Sequence, residues 1–108
     1  MNVRLVHSRQ SPLSTYSLEF HEAALKEWGK LGYDIRAQFK RKLAERLISP
    51  HVISARLHGG HRRYKITILL NSAYRLVYEV NDNTVTVLVL AVGQRSKAQV
   101  YRKATRRC

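Results

Sequence analysis

The run Thr84–Val92, TVTVLVLAV, constrains the fold more than any other stretch of the chain. It is nearly continuous in β-branched and aliphatic residues and offers no polar face to water, so it reads as a central strand covered on both sides. A sheet must therefore be built around it. Tyr64–Leu70 and Ala73–Val80 are β-prone and precede it, parted by Asn71-Ser72. Asn81-Asp82-Asn83 then supplies residues that tolerate left-handed backbone, as a hairpin needs. Gly93 is expected to end the last strand. Strands joined by such short turns are antiparallel.

Upstream, Tyr16–Phe20 alternates, with Tyr16, Leu18 and Phe20 on one face, and predicts a half-buried strand. The period changes at Glu22. Ala24, Leu25, Trp28 and Leu31 recur at helical spacing until Gly32. A second helix is expected from about Asp34, with Ile35, Phe39, Leu43 and Leu47 as its apolar stripe and Arg36, Lys40, Arg41 and Lys42 off it. Ser49-Pro50 ends it, because proline cannot extend the hydrogen-bond ladder. The tight link at Gly32 makes the two helices an antiparallel hairpin. His51–Arg63, with Gly59-Gly60, reads as a loop, and Ser96–Arg106 as a short, basic C-terminal helix.

The expected fold is thus α+β. An N-terminal strand and a helical hairpin pack on one face of a mainly antiparallel four-stranded sheet, as a two-layer sandwich, and a short helix follows. Residues 16–108 form one domain, the size that 108 residues allow. Met1–Thr15 is too polar for a signal-peptide core and is expected to be a flexible extension, or an artefact of the chosen start codon.

Charge narrows the partners. Twenty Lys+Arg against seven Asp+Glu give a net charge of +13. Self-repulsion of that size calls for a polyanion, either nucleic acid or the ribosome, with an anionic membrane surface second. A ribosomal or chromatin-like structural protein would carry the same excess. From His51 onward there are eleven Lys/Arg and two acids, Glu79 and Asp82. One face built from that half will be strongly positive. No apolar run reaches the roughly 18–20 residues that span a bilayer. The single cysteine, Cys108, excludes an internal disulfide and fits a reducing cytoplasm.

Familiar catalytic patterns are missing. With two acids beside one turn, a carboxylate pair for two-metal phosphoryl transfer is not expected. There is no phosphate-binding Walker loop and no HExxH. His51, His58 and His61 share one loop, but no acid or cysteine accompanies them as metal ligands would. No metal and no cofactor is expected. What remains is cations and tyrosines at strand ends. Lys65 opens the second strand, Arg75 lies in the third, Arg95 follows Gly93, and Lys97 and Tyr101 come next. Along antiparallel strands, the start of the second lies opposite the end of the fourth, so Lys65 is expected to reach across the face.

Leu18–Arg107 resembles the RelE toxins of the RelE/ParE superfamily. The resemblance runs through FHEAALKEWGKLG, YKI at Tyr64–Ile66, YRLVYEV at Tyr74–Val80, and VGQR…VY from Val92 to Tyr101, in order. It implies a toxin of a type II toxin–antitoxin system, an endoribonuclease (mRNA interferase) acting on codons in the ribosomal A site. It further implies a RelB-like antitoxin, contacts to mRNA and 16S rRNA, operator DNA only through the antitoxin complex, and a cytoplasmic location. Lys65, Arg75, Arg95 and Tyr101 fall on the family's catalytic positions. Lys97 falls on a basic position beside them, and Arg63, Arg102 and Lys103 are expected to bind substrate phosphates. The chain departs from the pattern at Thr67, where a second catalytic lysine is usual, at Gln94 in place of a lysine, and near Asn71, where the turn is one residue longer.

Such a set suits RNA cleavage without metal. The 2′-hydroxyl attacks the adjacent phosphate, and the protein supplies a base, an acid for the 5′-oxygen and positive charge for the transition state. Arginines give that charge through bidentate contacts. A tyrosine near pKa 10 is only about one part in a thousand ionised at pH 7, a penalty of roughly 4 kcal/mol. Clustered cations reduce it, and a partner that pre-bends the RNA would recover rate by orientation.

Other readings stand beside this one. Tyr101 packs a helix, Arg75 pairs with Glu79 or Asp82, Trp28 is core, Tyr64, Tyr74 and Tyr78 are strand residues, and the C-terminal arginines form a solvated tail or phosphate contacts. The superfamily also contains ParE-like gyrase poisons, which largely lack the Lys65/Arg75/Arg95/Tyr101 set. A non-catalytic RNA- or ribosome-binding module is a third reading.

Overall fold

The computed structural model describes residues 15–59, 62–94 and 99–107, and for 99–101 the backbone alone. The elements are β1 (Ser17–Phe20), α1 (Glu22–Gly29), α2 (Tyr33–Ile48), a 3-10 turn (Ile53–Ala55), β2 (Arg63–Leu70), β3 (Ser72–Asn81), β4 (Thr86–Gln94) and α3 (Gln99–Arg106). The expected order holds, and each boundary lies within a few residues of its local signal. Met1–Ser14 lies outside the described residues, and with it the N-terminal extension.

The four strands form one sheet in the order β1-β4-β3-β2. The run of apolar residues in β4 indeed occupies an inner position. β2, β3 and β4 are joined by hairpins and pair antiparallel. β1 lies parallel to β4, with Ser17 opposite Thr86 and Phe20 opposite Val89. The β2–β3 turn closes on Asn71 at φ 68°, a left-handed conformation that asparagine adopts more readily than most residues. At the β3–β4 turn, the Asn81 side-chain oxygen accepts from the backbone N–H of Asn83 (2.9 Å) and Thr84 (3.1 Å).

α1 and α2 cover one face. The stripe Ile35, Phe39, Leu43 and Leu47 is buried, as its spacing predicts, against Tyr64, Ile66, Ile68, Leu76, Tyr78, Val87, Val89 and Val92. Trp28 belongs to the same core, its ring centroid 6.2 Å from that of Phe39 and 5.4 Å from Phe20. Leu25, expected on the buried stripe, is half exposed. Tyr78 is fully buried. Its hydroxyl donates to the Pro50 carbonyl (2.8 Å) and accepts from Arg46 Nη1 (2.8 Å), whose guanidinium lies over the ring. At the far end, Asp82 accepts from the Tyr16 hydroxyl (2.7 Å) and pairs with His51. That hydrogen bond, with burial, pushes the Tyr16 phenol up to about 12.

The expectation of two layers was incomplete. α3 returns across the opposite face of β4 and β3, where Ala104 is buried with Val77, Leu90 and Ala91. A bulge makes this possible. Val77 stands opposite Ala91, but Tyr78 stands opposite Val89, so β4 carries one extra residue, Leu90. That residue shifts the alternation and turns Leu90 and Ala91 both toward α3. β4 is thus covered on both sides by different elements.

Candidate active site on the α3 face of the sheet

Alternation places Arg63, Lys65 and Arg75, three of the expected site residues, on this second face. Along β2, Arg63, Lys65, Thr67 and Leu69 share one side, while Tyr64, Ile66 and Ile68 enter the main core. Thr67 stands directly opposite Arg75 on β3, and Lys65 opposite Val77. On its other flank Arg75 faces Gly93 of β4, which brings no side chain beside it. Lys65 is therefore a diagonal neighbour of Arg75, about 7–8 Å away between Cα atoms by sheet geometry. The expectation that Lys65 must reach across the sheet is corrected: one diagonal step separates the two. β4 also continues past Gly93 to Gln94, so glycine here does not end the strand.

Both cations are partly buried. The backbone at Lys65 is fixed from the other layer, because Arg46 Nη1 donates to its carbonyl (3.1 Å). Among the described residues, no carboxylate pairs with the Lys65 ammonium. Arg63 stands opposite Glu79, its Nε 3.8 Å from the carboxylate. Tyr101 falls on α3, one turn before Ala104, which is buried against the sheet. Arg102 is exposed on the same helix. Arg95 and Lys97 lie outside the described residues.

Two features were not legible in the sequence. Glu27, on α1, is a partly buried carboxylate that gathers α3 and β4. It accepts from Arg107 at 3.0 Å on each oxygen and from the Val92 N–H (3.1 Å), and it pairs with Lys103 (3.2 Å). Arg107 Nη1 also donates to the Leu90 carbonyl (2.9 Å). Burial pushes the Glu27 carboxyl up, but bonds from Arg107, Val92 and Lys103 outweigh it and hold it below its ordinary value. Arg107 is thus an anchor of α3 rather than part of a solvated tail. Arg46 is the second, at the edge of the α2 stripe. Nothing near either residue signals its role, since Arg107 is 80 positions from Glu27 and Lys65 is 19 from Arg46.

Among the described residues, no three His, Cys, Asp or Glu side chains converge as metal ligands. No helix there is long and apolar enough to cross a membrane.

The model of the family described as ParE toxin of type II toxin-antitoxin system, parDE, matches residues 18–99. The mRNA interferase toxin RelE of Escherichia coli (strain K12) is 49% identical over 92 residues, covering 85% of this chain and 96% of that protein. The chain belongs to the RelE-type toxins of the RelE/ParE superfamily. Solved RelE structures share the fold of this RelE-type chain. A double arginine-to-alanine mutant of E. coli RelE in the free state superposes with a TM-score of 0.79 at 47% identity, covering 86% of this chain and 97% of that one. RelE in the intact E. coli RelBE toxin-antitoxin complex gives 0.71 at 49% identity, covering 76% and 99%.

Proposed function

We propose that this RelE-type toxin is an endoribonuclease that cuts translated mRNA in the ribosomal A site, without metal, and is held in check by a RelB-like antitoxin. The observation that carries the reading is the face on which Lys65 and Arg75 lie on adjoining strands, with α3, the helix that carries Tyr101 in its sequence, packed on the same side of the sheet. The E. coli relative named as an mRNA interferase supports the reaction class, and the RelBE complex supports the antitoxin.

In this reading the attacking group is the RNA's own 2′-hydroxyl, so the protein need not activate water. Arg75, fixed in advance by its place in β3, and Arg95 take up charge on the phosphate oxygens as it develops. Tyr101 or Lys65 accepts the 2′-hydroxyl proton, and a proton returns to the departing 5′-oxygen. Arg63, Lys97, Arg102 and Lys103 hold flanking phosphates; Arg63 and Lys103 do so with part of their charge already met by Glu79 and Glu27. The ribosome bends the RNA into line and so supplies the orientation that the reaction needs. The toxin acts in the cytoplasm as one domain over residues 16–108.

Primer-extension mapping of transcripts after induction, with and without translation, tests this. Cuts inside translated codons that vanish when translation is blocked are expected. DNA damage with intact messages would move the chain to the gyrase-poison branch.

A further inference from the structure

α3 is only eight residues long, too short to be stable alone. Among its described side chains, Ala104 is the apolar one that α3 buries against the sheet. A catalytic side chain needs a tolerance of about half an ångström, which buried alanine alone does not give. An anchor that holds α3 lies on α1. Lys103 on α3 and Arg107, directly after its last residue, both reach Glu27. The same carboxylate accepts the Val92 N–H, and Arg107 reaches the Leu90 carbonyl. α3 is thereby referenced to β4 at Leu90 and Val92, the latter directly before Arg75's neighbour Gly93.

We propose that Glu27 is a positioning residue for RNA cleavage: by joining Arg107, Lys103 and β4 it sets where α3, and so Tyr101, stands over the Lys65–Arg75 face. The inference rests on the nuclease reading given above, and it adds a residue remote from the reacting atoms. Replacing Glu27 by glutamine keeps the shape, removes the charge, and turns one acceptor into a donor facing Arg107. A side-chain clamp of two oxygens shared among four donors does not survive that change.

The test is single-turnover cleavage of ribosome-bound mRNA by wild type, Glu27→Gln, Arg107→Gln and the double variant, with amide hydrogen exchange on the same samples. Expected is a 10–100-fold fall in rate constant at saturating toxin for each single variant, in the range that small misplacements cause. The half-saturating concentration should be unchanged. α3 amides should exchange faster while β3 and β4 stay protected. The double variant should be no slower than the worse single one, because both changes break the same clamp.

A merely structural role would lower the reacting fraction rather than the rate constant. Unchanged rates despite freed α3 amides, or unchanged α3 exchange, would overturn the proposal. Independent effects that multiply would also overturn it. If wild type leaves ribosome-bound mRNA intact, the nuclease reading itself fails, and the positioning role fails with it. Exchange in α3 would still report whether Glu27 holds the helix.

Discussion

Thr67→Lys is the most informative single change, because the register fixes what the new amine would meet. Thr67 is exposed and stands directly opposite Arg75, with Lys65 two residues away on the same face. Directly opposed Cβ atoms lie about 4.5–5.5 Å apart, and like charges there cost about 0.2–1 kcal/mol. The melting temperature should therefore drop by about 1–8 °C. With charged tips about 6 Å apart, repulsion from Arg75 is worth about 0.7 kcal/mol in water and about 2.8 at an effective dielectric of 20. Solvent screening at so exposed a position favours the lower half. That lowers the amine's proton affinity by about 0.5–1 pKa unit, which makes its neutral form about 3–10-fold more abundant near pH 7 than in an isolated lysine.

A base at position 67 should therefore raise the single-turnover rate on ribosome-bound mRNA several-fold. The gain should grow with pH between about pH 6.5 and 9, as the amine deprotonates. Thermal melting and a pH–rate series on wild type and variant measure both halves. Should the melting point fall while the rate stays flat at every pH, the new charge would be beside Arg75 but proton transfer would not occur on this face. That result would refute the reasoning.

Other outcomes follow from the same geometry. Arg75→Ala removes a cation fixed between Thr67 and Gly93 and should slow cleavage about 10²–10³-fold; unaltered toxicity would exclude this face as the site. Tyr78→Phe deletes the hydroxyl joining Arg46 to the Pro50 carbonyl and should cost about 1–3 kcal/mol in a urea titration. The cleavage rate per folded molecule should hold, since Tyr78 lies on the opposite face from Arg75. Glu27 is held below its ordinary 4.5, so its contribution to stability is full above that value and lost as pH falls through the folded pKa. Melting temperatures should decline below about pH 4.5 in wild type, and Glu27→Gln should flatten that decline. An identical acid limb in both proteins would refute the assignment.

Much of the architecture was legible because it is encoded locally. The stripe Ile35, Phe39, Leu43 and Leu47 can bury only as a helix. The run in β4 can sit only inside a sheet, and asparagines at 71, 81 and 83 suit turns that need left-handed or side-chain-capped backbone. Lys65 and Arg75 were recognisable as candidates through their place in extended segments that resemble RelE. Periodicity says which side of an element is apolar, but it does not say what will cover it.

Tertiary structure alone decided the rest. The parallel entry of β1 beside β4 depends on where two helices deliver the chain. The extra residue Leu90 shows only against the register of β3, yet it opens the second face to α3. Lys65 and Arg75 become diagonal neighbours only once the turn at Asn71 sets the pairing. Glu27 draws its meaning from donors 65 and 80 positions away. Side-chain chemistry and local period are properties of neighbours along the chain. Charge placement and helix docking are properties of neighbours in space, which exist only after the sheet has closed.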